Sequence, residues 1–264
     1  MKNGFSVFLA ALVALGLSWC GFVLGSVKQL GTAKQESILN SSDTYPLQPT
    51  GNATLGLQVY RANGCAACHT EQVRQDGVVC DVVLTAAGKN PTVVSNLVST
   101  LKLTGLTKDE ADAASDKITD AGGKVEIQIN ATGVDIPRWG VRRSVAADYL
   151  YDNPVQLGSL RAGPDLANVG ARFPDLNLQL VHLYAPQTVA TNSAMPPFRF
   201  LFEVSKIGEA PSPDALKFPQ GFAVPSGCEV VPLPEAKQLA AYLLSLKADA
   251  PLYEAPFTPV MTKP

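Results

Sequence analysis

The chain has 264 residues, with 21 Lys and Arg against 23 Asp and Glu, a net charge of −2 and a pI near 5.7. No basic stripe or block of like charge crosses it, which argues against nucleic acid as a partner. Only two histidines are present, His69 and His182, so a site built on three or four His ligands is excluded. Its 21 glycines and 20 prolines make it loop-rich but not disordered in composition.

Phe5 to Val27 carries no charge and lies between Lys2 and Lys28. As a helix it spans roughly 35 Å, enough to cross a bilayer core. The rival is a cleaved signal peptide, but no small-x-small cleavage site follows. Trp19 is too bulky for the position before a lipoprotein Cys20. The reading is an uncleaved anchor over 1–27, with the rest of the chain exported. Residues 28–52, rich in Ser, Thr, Gln and Pro, read as a polar linker. A short amphipathic helix is expected from Thr54 to Asn63, with Thr54 as cap and Gly64 as stop.

Residues 78–130 read as a β-α-α-β insert. Val79–Leu84 is β-rich. Asn90-Pro91 opens a helix with Val94, Leu97, Val98 and Leu101 on one face. Thr107 and Glu110 form a capping box ahead of Ala111, Ala114, Ile118 and Ala121, and Gly122-Gly123 stops that helix. Val125, Ile127 and Ile129 alternate inward along a strand. Residues 135–203, dense in Gly, Pro, Arg and aromatics, suit a chain wrapped round a cofactor, and 204–232 reads as loop. Pro234–Lys247 is a final helix burying Ala236, Leu239, Ala240, Leu243 and Leu246. The tail, 251–264, is Pro-rich.

Cys65-Ala66-Ala67-Cys68-His69 is C-x-x-C-H, a c-type haem attachment motif: two thiols add across two vinyl groups, and the adjacent His reaches the iron. A zinc half-site lacks a second ligand pair, and a thioredoxin-like pair lacks its βαβ setting. For the other axial position, Met1 and Met261 are badly placed, which leaves Met195 in Ser193-Ala194-Met195-Pro196-Pro197, with His182 as runner-up. A carbonyl near Gly163-Pro164 is the natural partner for the second ring nitrogen of His69. Arg142, Arg143 and Arg161 are candidates for the haem propionates. Trp139, Tyr149 and Tyr151 read as pocket walls or core. Cys80 and Cys228 are a candidate disulfide in an oxidising compartment.

Gly56-x-x-Val59-Tyr60 followed by Gly64-Cys65-x-x-Cys68-His69 resembles the opening of class I cytochromes c. That likeness implies a first helix crossing the last, with Gly56 and Tyr60 near Tyr242. Further strings are His69-Thr70-Glu71-Gln72-Val73-Arg74, Arg138-Trp139-Gly140-Val141-Arg142-Arg143-Ser144 and Tyr151-Asp152-Asn153-Pro154. They continue with Gly158-Ser159-Leu160-Arg161-Ala162-Gly163-Pro164-Asp165-Leu166, His182-Leu183-Tyr184-Ala185-Pro186 and the Met195 loop. In this order they resemble the monohaem subunit II of cbb3-type cytochrome c oxidases.

The resemblance implies a mostly α fold: one transmembrane helix plus a class I cytochrome c domain (53–77 and 131–250) interrupted by the small α+β insert. It implies one haem c on Cys65 and Cys68, with His69 and Met195 on the iron and Pro164 holding His69. Implied partners are a catalytic haem-copper oxidase subunit, a dihaem subunit or soluble cytochrome c, and the membrane. The cytochrome domain would be periplasmic on a bacterial cytoplasmic membrane, and oxygen reduction would belong to the catalytic subunit, with no catalytic residue in this chain. Leu178-Gln179 and Gln187 depart from the pattern of relatives. The insert itself resembles a shortened C-terminal domain of the bacterial ribosomal stalk protein. Competing readings are a stand-alone anchored cytochrome, the cytochrome subunit of a nitric oxide reductase, and an exported binding domain with an incidental motif.

Overall fold

The computed structural model describes residues 4–32, 34–87 and 102–258. Helix α1 (Gly4–Trp19) runs through a π-helical turn (Cys20–Leu24) into α2 (Gly25–Gly31). Neither α1 nor the turn buries a residue. Gly4–Lys28 is long and apolar enough to cross a membrane.

The segment expected to be a bare linker is docked. Strands β1 (Glu36–Ser37) and β2 (Thr44–Tyr45) pair antiparallel. Tyr45 then packs with Val145, Ala147, Leu252 and Ala255. Its hydroxyl donates to Asp148 at 2.7 Å, and the Arg142 guanidinium sits 5.4 Å from its ring centroid. Leu39 N–H donates to the Pro251 carbonyl at 2.9 Å.

Helix α3 (Asn52–Ala62) starts earlier than its sequence suggests, because Gly51 (φ 55°) turns the chain before it. Thr54 Oγ1 donates back to Pro49 O at 2.9 Å and does not cap the helix. Next come β3 (Gly77–Ala86), β4 (Lys102–Leu106), α4 (Lys108–Asp120) and β5 (Lys124–Thr132). The three strands form an antiparallel sheet in the order β4-β3-β5. Cys80 and Val82 meet Ala111 and Ile118 under α4, with Val125, Ile127 and Ile129 beside them. The helix expected through Val94, Leu97, Val98 and Leu101 lies outside the described residues. Strand β4 departs from the expected β-α-α-β order. A bulge opposite it and Gly105 at φ 74° break the period-two pattern that would have exposed it.

Thr107 caps α4 with both capping-box bonds formed. Thr107→Ala is expected to cost about 1 kcal/mol, read as faster amide exchange in the first turn of α4. The C-terminal tail lies along β5: Thr258 N–H donates to Ile129 O at 2.9 Å, and Ile129 N–H donates to Thr258 Oγ1 at 3.2 Å.

Helices α5 (Val169–Arg172) and α6 (Leu176–Tyr184) lead to strands β6 (Phe202–Lys206) and β7 (Cys228–Pro232), which pair antiparallel at the ends of the segment read as loop. Helix α7 (Pro234–Ser245) closes the core. It buries Ala236, Leu239, Ala240 and Leu243 as expected, with Leu246 packed at the edge. Helix α7 crosses α3 at Gly56, where an added Cβ would lie 1.9 Å from the Gln238 carbonyl oxygen. One turn on, the rings of Tyr60 and Tyr242 are 5.2 Å apart. With three sheets beside the helices among the described residues, the fold there is mixed and not mostly α.

Candidate functional site

Gly64, at φ 66°, turns the chain out of α3 into a 3-10 turn over Cys65–Ala67. His69 N–H donates to Cys65 O at 3.0 Å, so two thiols and an imidazole share one tight turn. A strap from the 157–166 segment is bonded along this turn. Ser159 N–H donates to Ala66 O at 3.1 Å, Gly163 N–H to Cys68 O at 2.9 Å and Leu166 N–H to Thr70 O at 2.7 Å. The strap can lie this close only because it is glycine at two points. At Gly158 (φ 77°) a Cβ would sit 2.1 Å from His69 O, and at Gly163 it would sit 2.3 Å from His69 Cε1.

His69 Nδ1 lies 2.8 Å from the Pro164 carbonyl oxygen. A carbonyl only accepts, so Nδ1 carries the proton and Nε2 keeps its lone pair. Met195 and Cys65 pack against the same core, together with Ala66, Val189 and Phe198. Met195 N–H donates to Ser193 Oγ at 3.2 Å, which braces the loop. His182, on α6, is held below its ordinary range by burial, with a smaller push from His69.

These residues fit a flat apolar group carrying iron. The imidazole presents a fixed tautomer, and a thioether lies on the same apolar core. Burial pushes the Cys65 thiol up to about 11. That disfavours the thiolate a zinc or thiol-exchange site needs.

The three arginines named as propionate candidates are each held by protein partners. Arg142 is 1 % exposed and pairs with Asp148 at 2.7 Å while donating to Ala250 O and Arg143 O. Arg143 donates to Glu254 O at 2.6 Å. Arg161 pairs with Asp135 and lies over Trp139, so Trp139 supports a guanidinium. Tyr149 donates to Glu71 O at 2.7 Å, and Tyr151 is exposed. Cys80 and Cys228 are free thiols: Cys80 is sealed beneath α4 and Cys228 opens β7 in a different sheet.

Sequence reasoning missed three buried carboxylates. Glu71 is 3 % exposed and accepts from Tyr242 Oη at 3.0 Å. Asp135 and Asp165 are as deeply buried. The available signal was position: Glu71 and Asp165 directly follow the elements that carry His69 and Pro164.

The family model described as cytochrome C oxidase, mono-heme subunit/FixO matches residues 127–238. No curated protein matches the chain. The matched segment holds Gly163, Pro164, His182 and Met195 and begins within β5, after Cys65–His69. The fold rejoins the two parts by laying Gly163 and Pro164 on His69. Residues 127–238 are therefore similar to mono-haem cytochrome c oxidase subunits of the FixO family, and a helix long and apolar enough to cross a membrane precedes them in the chain.

Proposed function

We propose that the chain carries one covalent haem c and relays electrons from a cytochrome c donor or dihaem subunit to the haem b of a catalytic, oxygen-reducing subunit. The observation that carries this reading is the seating of the C-x-x-C-H histidine against Gly163 and Pro164 of the family-matched segment. Cys65 and Cys68 would hold the haem, with His69 and Met195 on its iron. When bound, the group supplies a one-electron ferric/ferrous couple. Pro164 fixes the proton on Nδ1 and so aims Nε2. The Ser193 bond and Pro196-Pro197 hold the Met195 loop, which favours a high-potential Met/His pair.

The domain assignment goes with this reading: residues 53–77 and 131–250 form the cytochrome unit, 78–130 is inserted in it, and 1–27 anchors it with its bulk in the periplasm. This chain's contribution is electron transfer, and proton translocation belongs to the complex.

The Cys65→Ser, Cys68→Ser double variant is expected to lose covalent haem staining on a denaturing gel. Met195→Ala should keep the stain, lose the near-infrared band of ferric Met-ligated haem and lower the midpoint potential. Unchanged band and potential would transfer the ligand role to His182. The relay itself is tested by mild-detergent purification from native membranes. Co-purification of a polytopic subunit and haem b supports it, and a lone haem-stained band points to a free membrane-bound carrier.

A further inference from the structure

We propose that Arg161 is a positioning residue for His69, a clamp that sets how tightly the Pro164 carbonyl holds the imidazole. The proposal rests on the reading of His69 as a haem ligand.

Two chain segments meet at the His69–Pro164 bond: 70–74, which follows His69, and 161–165, which contains Pro164. One guanidinium joins them. Arg161 Nε donates to Thr70 Oγ1 at 3.0 Å. One terminal nitrogen donates to both Asp135 oxygens, at 3.0 and 2.9 Å. The other donates to Gln72 O at 2.5 Å and lies 3.8 Å from Asp165 Oδ2. The guanidinium is 5.0 Å from the Trp139 ring centroid, which fixes its plane.

Both carboxylates are themselves tied to the His69 side. Asp165 is fully buried and accepts from Thr70 Oγ1 at 2.6 Å and Gln72 N–H at 2.7 Å. Asp135 is 2 % exposed and accepts from Arg74 N–H at 2.9 Å. Asp135 also lies just after β5, so the inserted sheet re-enters the chain at the clamp.

A carbonyl accepting from Nδ1–H strengthens the imidazole as an electron donor, which favours ferric iron. If the two segments part, that bond lengthens and the midpoint potential rises. The guanidinium geometry is required, because a lysine can keep the Asp135 pair but cannot also reach Thr70 and the Gln72 carbonyl.

The test uses the full, haem-loaded chain in detergent, with Arg161→Lys, Arg161→Gln and Asp135→Asn beside a surface control, Lys237→Gln. Each is read by redox titration and by the hyperfine-shifted His69 ring protons in proton NMR. Arg161→Lys is expected to keep its haem, raise the potential and move the His69 resonances, while Lys237→Gln changes neither. If Arg161→Gln does not fold, the lysine variant alone decides. Arg161 variants that melt earlier but keep the wild-type potential and resonances would reduce it to a structural staple. If the unsubstituted chain proves to carry no covalent haem, the functional reading fails separately. Amide exchange at Gly163 and Leu166, which bond to Cys68 O and Thr70 O, then still reports the clamp. It accelerates in Arg161→Lys if the clamp exists and is unchanged if it does not.

Discussion

Replacing Gly56 with alanine is expected to destabilise the chain by about 3–5 kcal/mol, the range of severe core disruption. The new Cβ would lie 1.9 Å from the Gln238 carbonyl oxygen and 2.7 Å from Tyr242 Cβ. The first obstacle is backbone, so no rotamer change relieves it. Helices α3 and α7 must move apart, and the Tyr60–Tyr242 contact with the apolar face around Leu239 opens with them. For a chain of this size the melting midpoint should fall by about 10 °C. The control is Gly208→Ala, where an added methyl meets nothing within 4 Å. Far-UV circular dichroism melts of the two variants in detergent check this. Equal midpoints would mean that the crossing is looser than the structure has it.

The second large effect is a dependence of stability on pH. Glu71 is pushed up to about 8, first by burial and then by Asp152 and Asp165, against the hydrogen bond from Tyr242 that favours its charged form. Its ordinary value is 4.5. Between those values the folded chain holds a proton that the unfolded chain has released. Folding stability from this group is therefore fully present below about pH 4.5 and falls as pH rises through 8. The ceiling on the loss is about 5 kcal/mol. Glu71→Gln, neutral at every pH and close in shape, should flatten the profile. Urea midpoints measured from pH 5 to 9 for both chains isolate the term, because the remaining groups cancel in the difference. Parallel profiles would show that Glu71 does not titrate in this window.

The helix crossing and the tight Cys65–His69 turn were legible because each leaves a local mark. Gly56 and Tyr60 are one turn apart on a helix, and Cys65, Cys68 and His69 lie within five residues. The Pro164 partner was legible only through the Gly163-Pro164 string. The fates of Arg142 and Arg161 were not legible. Their partners, Asp148 and Asp135, are unremarkable in sequence, and Asp135 becomes a partner only when the chain returns from the inserted sheet. Short strands escaped for a related reason. Two residues in β1 and β2, and a bulged pairing at β4, are too few to display a period. The Cys80–Cys228 idea failed because cysteine counting carries no distance.

The docked hairpin has a consequence for traffic at the membrane. Between the end of α2 at Gly31 and the start of β1 at Glu36 the chain has four residues. Fully extended, they reach about 14 Å. Had residues 28–52 been a free tether, the globular part could have swept a wide arc and ferried charge between distant sites. On so short a leash it stays moored beside its own helix, and under the proposed relay a redox partner must come to it.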